Sequence, residues 1–186
     1  MYKIIKLYRH GETEWNKEGR LQGWLDSPLT EYGKTQAKKQ LEQVELVFSS
    51  DLGRAIETAK LMFPQAKLLT DQRLREIYLG DWQGKTISLL NEQEDYKCYI
   101  ERPNDFVAHT QESFQAVAQR MESFLNYLLT HEETNIAVVS HRVAIACLVG
   151  AVEKRPLHLL WQDGLLQGGH CVTLVYKKNR WQTITF

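Results

Sequence analysis

Three short clusters of basic residues hold the chemistry of this sequence. Arg9-His10-Gly11 follows the apolar run Ile4, Ile5, Leu7 and Tyr8. Arg54 closes Ser49-Ser50-Asp51-Leu52-Gly53-Arg54 behind a second run, Val44 to Phe48, and Ser140-His141-Arg142 follows a third, Ile136 to Val139. An imidazole flanked by arginines is discouraged from protonating, so near neutral pH His10 would offer the free lone pair that a nucleophile needs to attack phosphorus. Guanidinium groups stay charged and grip non-bridging phosphate oxygens in pairs. Two histidines with at least two arginines in one region therefore suit phosphoryl transfer. Arg54 adds a second clue, because it falls in the first turn of a predicted helix, where the macrodipole disfavours a cation; an anion is expected within its reach. Gly11 would let the backbone approach the imidazole and a ligand closely.

The clusters meet only if the elements between them bring the run ends together. Near-continuous apolar runs suit central strands of a parallel sheet covered on both faces, and ligands of such sheets bind outside the carboxyl ends of the strands. Helical patterns lie between the runs: Thr30 to Val44 after the Ser27-Pro28 break, and Leu52 to Phe63, which Pro64 stops. A longer helix is predicted over Glu112 to Thr130, with Phe114, Val117, Met121, Phe124, Leu125 and Leu128 as its apolar stripe and Glu112 in its first turn. The segment from Trp82 to His109 mixes Leu89 and Leu90 with an acidic patch and then Arg102-Pro103-Asn104, so residues 82–110 read as a helical lid or side wall. Val172 to Tyr176, a turn at Lys177 to Asn179 and Trp181 to Phe186 predict a terminal hairpin. The expected fold class is α/β: a three-layer α/β/α arrangement with a mostly parallel central sheet, an antiparallel edge strand and a helical lid excursion, formed by residues 1–186 as one domain.

Composition narrows the function. With 186 residues, 43% of them hydrophobic, the chain can bury a substantial core. Lys plus Arg and Asp plus Glu both total 23, so no global field recruits nucleic acid or an acidic membrane, and an anion site must be built locally. Cys98, Cys147 and Cys171 are odd in number and form no CxxC, which fits a reducing compartment. No run approaches the ~20 apolar residues of a membrane helix and no cleavage site follows the N-terminal run, so a cytoplasmic protein is expected. His109, His131, His158 and His170 lack HExxH or HxH spacing, and there is neither a Walker loop nor a dinucleotide fingerprint. No metal and no cofactor are expected. No internal repeat is present.

With these residues in view, the sequence resembles the histidine phosphatase superfamily, which includes the cofactor-dependent phosphoglycerate mutases and many small phosphatases. Leu7 to Thr13, with Asn16, is similar to the family signature; Gln22-Gly23-Trp24 and Asp26 to Thr30 with Gly33 look like its next segment. Ser49 to Ala59 resembles the helix of its second arginine, Arg75-Glu76-Ile77 with Gly80 to Gly84 the segment of its general acid, and Val138 to His141 its second histidine. The resemblance implies a phosphoglycerate mutase-like fold and a phosphohistidine on His10, with Arg9, Arg54 and His141 holding the phosphoryl oxygens and Glu76 protonating the leaving oxygen. It also implies phosphate contacts from Asn16, Gln22 and the Gly23 amide, with charge supplied by arginines and imidazoles where other enzymes use a metal.

Within that family, mutases typically carry a longer insertion after the acid segment, whereas Gly80-Asp81-Trp82-Gln83-Gly84 resembles the phosphatase branch. Hydrolysis of a small phosphorylated metabolite, by a monomer or homodimer, is the leading expectation. Phosphoglycerate mutase-type transfer and a phospholigand-binding module without turnover are the alternatives. Arg142 stands where the family usually has glycine; it would add a charge for a more anionic substrate, project away, or obstruct the pocket and strain the loop. Gln111 also replaces a common glycine. Tyr96, Tyr99 and Arg102 are expected leaving-group contacts, and His170 falls in a loop where relatives often carry a small polar residue.

Overall fold

The computed structural model describes residues 1–38, 44, 46–162 and 168–184. Its sheet has six strands: β1 (Lys3–Arg9), β2 (Leu46–Ser49), β3 (Lys67–Thr70), β4 (Asn135–Ser140), β5 (Cys171–Lys177) and β6 (Arg180–Ile184), in the order β3-β2-β4-β1-β5-β6. The first four are parallel; β5 runs antiparallel to β1 and β6 antiparallel to β5. The three apolar runs are thus adjacent strands, in the order β2-β4-β1. The predicted hairpin is present, turning at Lys178 and Asn179, both with positive φ as a tight hairpin turn requires; its expected last residues, 185 and 186, lie outside the described residues.

Alternation along the strands separates two cores. Ile5, Leu7, Leu46, Phe48, Ile136 and Val138 face one side, and Tyr8, Val47, Ala137 and Val139 the other. The second face is covered by α2 (Glu31–Lys38), through Ala37, and α3 (Gly53–Met62), through Ala55, Ala59 and Met62. The first is covered by α6 (Phe114–Leu128) and α7 (Arg142–Val152), giving the expected three layers. Every residue of the predicted α6 stripe is buried, each contributing roughly 1.5–3 kcal/mol of apolar transfer.

The boundaries differ from expectation for local reasons. The helix expected from Glu112 starts at Phe114 because Ser113 caps it, its hydroxyl accepting from the Ala116 N–H at 3.1 Å. Glu112 therefore precedes the cap instead of occupying the first turn. The same helix ends at Leu128, where Thr130 bonds back to the Tyr127 carbonyl. α2 is described to Lys38, and the rest of that predicted helix through residue 43 lies outside the described residues.

Three further short helices lie in the connections between these elements. α1 (Glu14–Lys17) is closed by a Thr13–Asn16 capping box. The excursion after Trp82 carries α4 (Ile87–Leu90) and α5 (Glu94–Glu101). It is anchored by aromatic packing, with the buried Trp82 ring 5.4 Å from Tyr96 and 5.5 Å from Tyr99, and Tyr99 stacked on Phe114 at 5.0 Å. Backbone bonds from Gly84 to Leu21, Leu21 to Lys85 and Ile87 to Gly19 tie its start to the loop after α1.

Candidate active site

Strand register delivers the three clusters to one place. The N–H of His10, just beyond β1, donates to Ser140 O (3.1 Å), and the N–H of Ser50, just beyond β2, to Val139 O (2.9 Å). The imidazoles of His10 and His141 stand with ring centroids 5.1 Å apart. Both are buried, at 3% and 0% exposure.

His10 is held in a defined tautomer. Its Nδ1 lies 2.7 Å from the Gly11 carbonyl oxygen, which can only accept, so Nδ1 carries the proton. Nε2 is then the lone-pair nitrogen, and it accepts from Arg54 Nε at 3.3 Å. Burial, with the charges of Arg54 and Arg9 behind it, holds His10 well below the ordinary histidine range. Burial with Arg54 and His10 does the same to His141, whose ring nitrogens have no hydrogen-bond partner among the described residues. Two neutral imidazoles therefore sit side by side at physiological pH.

Arg54 is buried in the first turn of α3, as expected, and its anion is internal. Nη1 donates to Asp26 Oδ1 (3.0 Å) and Leu25 O (2.8 Å), Nη2 to Gly23 O (2.8 Å), while Asp26 also accepts from the Arg54 N–H. The same carboxylate thus satisfies the helix N-terminus and the guanidinium. Arg9, at the end of β1, has its N–H on the His170 carbonyl. Burial and the neighbouring Arg142 push its guanidinium down to about 10, still charged at neutral pH.

Gly11 serves packing more than ligand approach. A Cβ there would overlap the Gly33 backbone, and one on Gly33 would overlap the Glu12 carbonyl, so the paired glycines let the nucleophile loop lie directly on α2. Gly23 holds φ +55, a conformation that side chains rarely adopt, and a Cβ there would also displace the Gln83 amide.

These groups open onto a cavity of about 350 Å³. Arg9, His10, Arg54, Glu76, Asn16, Gln22, Gly23 and Arg142 all line it, so the structure assembles those predicted residues. His141, fully buried, is not among the lining residues and meets the site through its ring, 5.1 Å from that of His10. Asn16 spends Oδ1 on the Thr13 N–H, which leaves its amide hydrogens as donors, and the buried Gln22 Oε1 has no partner among the described residues. Tyr96 and Tyr99 form part of the wall as expected. Arg102 does not: it is exposed and, just past the end of α5, pairs back with Glu94 in that helix. The His170 side chain is exposed too, and only its carbonyl serves the site. Glu76 reaches in from the segment before Ile77, with Oε1 accepting from the N–H groups of Ile77 (2.9 Å) and Ala144 (3.0 Å), and Oε2 from Val143 at 3.3 Å.

Residues 5–186 match the Histidine phosphatase superfamily (branch 1). The chain belongs to that superfamily. It is 38% identical over 164 residues to a Proteus mirabilis protein described as probable phosphoglycerate mutase GpmB, covering 83% of this chain and 76% of that one. It is 35% identical over 175 residues to phosphoserine phosphatase 1 of Hydrogenobacter thermophilus, covering 88% and 82%. Among solved structures, Bacillus stearothermophilus YhfR superposes with a TM-score of 0.90 at 34% identity, covering 97% of this chain and 95% of that one. The two curated relatives are thus described as a probable mutase and a phosphatase.

In this member of the superfamily, the support behind Glu76 is what sequence reasoning missed. Arg120, on α6, donates from Nη1 to the carbonyls of Arg73 (2.7 Å) and Arg75 (2.6 Å) and from Nη2 to that of Glu76 (3.0 Å). Glu112 holds Arg120 in a forked pair (2.8 and 3.0 Å) and accepts from the Tyr78 N–H. Trp24 Nε1 adds a bond to the Glu76 carbonyl at 2.8 Å, and the Arg75 guanidinium lies over the Trp24 ring at 4.7 Å. The only local signal was an Arg eight residues beyond the displaced Glu112.

Proposed function

We propose that this protein is a phosphomonoesterase acting on a small phosphorylated metabolite through a phosphohistidine on His10. The observation that carries the reading is the fixed tautomer: a buried neutral imidazole whose Nε2 lone pair faces the cavity beside an arginine. A phosphoryl oxygen takes over the long Arg54 Nε bond, freeing the lone pair. Nε2 then attacks phosphorus, the P–O ester bond breaks, and Glu76 gives its proton to the leaving oxygen. The cation that forms on the ring is stabilised by the retained Nδ1–H bond to Gly11 O. In the second half, Glu76 takes a proton from water, the water oxygen bonds phosphorus, and the P–N electron pair returns to Nε2. Arg9, Arg54 and His141 hold the non-bridging oxygens, with Asn16, Gln22 and the Gly23 amide as further phosphate contacts. Residues 82–110 supply the leaving-group wall of a single domain. No step needs a metal or cofactor. Three free cysteines support a cytoplasmic setting.

Transfer to a second acceptor is the competing reading, favoured by the relatives described as probable phosphoglycerate mutases. Phosphate release from p-nitrophenyl phosphate and a panel of metabolite esters, with chelator present, separates the two. The phosphatase reading expects turnover by the wild type and none by His10→Ala. Isomerised ester without phosphate release would instead establish a mutase, and saturable binding with neither product a binding module.

A further inference from the structure

We propose that Arg142 is the specificity-determining residue of this site, and that the preferred substrate is a phosphomonoester whose leaving group carries a second anionic group. The inference rests on the phosphomonoesterase reading above and adds the substrate class.

Arg142 is the first residue of α7, following the extended His141 cap, so its backbone follows the ordinary path into a helix and the side chain imposes no strained turn. A cation in the first helical turn opposes the macrodipole, so local helix energetics do not account for it. Nor does an internal partner: among the described residues its guanidinium makes no hydrogen bond or ion pair, and Nε is buried without one. Its contact is with the Trp161 ring, 5.9 Å from Cζ, at the outer limit of a cation–π contact.

Two other arginines of this cavity are committed. Arg54 is held by Asp26 and two carbonyls, and Arg20 by Gly84 O and Glu18. The only carboxylate lining the cavity among the described residues is Glu76, and its oxygens accept from backbone amides.

Position gives Arg142 its role. It lines the cavity together with Glu76, which delivers the proton to the leaving oxygen, and with Tyr96 and Tyr99 of the α5 wall. The Arg142 charge therefore lies on the leaving-group side, where its planar fork would meet a carboxylate or a second phosphate in a partly dehydrated setting.

The test compares matched esters: phosphoglycolate and ethylene glycol bisphosphate against 2-hydroxyethyl phosphate. Wild-type kcat/KM is expected to favour each anionic ester that the site accepts by at least ~10-fold, and Arg142→Gln to collapse that ratio several-fold, with Arg142→Lys in between. The carboxylate and bisphosphate arms tell which anion is read. Equal wild-type rates for all three esters, or a preference that survives in Arg142→Gln, would overturn the proposal. The wild-type comparison holds whether or not the variant folds. Calorimetric affinities of the same esters for His10→Ala read the preference without turnover. Loss of all hydrolysis with a retained anionic preference in binding would sink the phosphatase reading alone, whereas hydrolysis with no preference would sink this inference alone.

Discussion

Acidification of the two buried imidazoles gives a stability change that can be worked from the structure. His10 and His141 are neutral in the folded protein because burial and the arginines around them hold both well below 6.5. In the unfolded chain each titrates near 6.5. Above that pH both states are unprotonated and pH has no effect through these groups. Below it the unfolded state binds two protons that the folded state refuses, so stability falls as pH falls, and continues to fall until the depressed folded values are reached. Between pH 7.5 and 5.5 the loss is roughly 1–2 kcal/mol per histidine, about 3 kcal/mol for the pair. That is a large share of the stability of an ordinary domain. Urea unfolding at the two pH values, on wild type, His10→Gln and His141→Gln, isolates it, because titration of all other groups cancels when each protein's own pH difference is compared. Each variant is expected to lose roughly 1–2 kcal/mol less than wild type on acidification. Variants that lose as much as wild type would refute the claim that these imidazoles are held neutral.

Other consequences follow from the same geometry. Because burial and the arginines hold His10 well below the ordinary histidine range, its imidazole is expected to show no titration near pH 6.5 by NMR of the free protein, with the signal assigned by its loss in His10→Gln; a titration there would contradict the assignment. Arg120→Met removes the donors to three carbonyls of the Glu76 segment and strands Glu112, so a stability loss of roughly 2–4 kcal/mol is expected. In the folded fraction kcat should fall at least ~10-fold while KM stays nearly constant, and a change confined to KM would deny Arg120 its positioning role. Gly33→Ala forces a methyl into the Glu12 carbonyl and is expected to cost ~1–3 kcal/mol, whereas Gly150→Ala, in open space on α7, should be neutral or stabilising by up to ~1 kcal/mol. Thermal unfolding of the two alanine variants checks the contrast.

The residues that converge were legible because each sits just after an apolar run, and parallel strands place such positions at a common edge. Arg9, His10, Arg54 and His141 needed only that rule. The hairpin and the α6 stripe were equally readable, since period and turn chemistry agree there. β3 was not foreseen: Lys67–Thr70 is four residues long at the sheet edge, and its partly exposed Leu68 and Leu69 give little pattern. The partner of Arg54 could not be read either, because Asp26 is 28 residues away and meets it only through the fold. Glu112 was misplaced by one capping decision, Ser113 taking the cap, and with it went the Arg120 clamp. Gly11 pointed to ligand approach by local reasoning, while its close neighbour is Gly33 across the loop. Arg142 meets the Trp161 ring, nineteen residues on along the chain, only through the fold.

The most direct test of the central claim is to quench the wild-type protein in base within milliseconds of mixing with a labelled phosphomonoester and locate the label by peptide mapping. The account predicts an acid-labile, base-stable phosphoryl group on the peptide bearing His10, absent from His10→Ala. Steady turnover with no label on that peptide at any time point would contradict it.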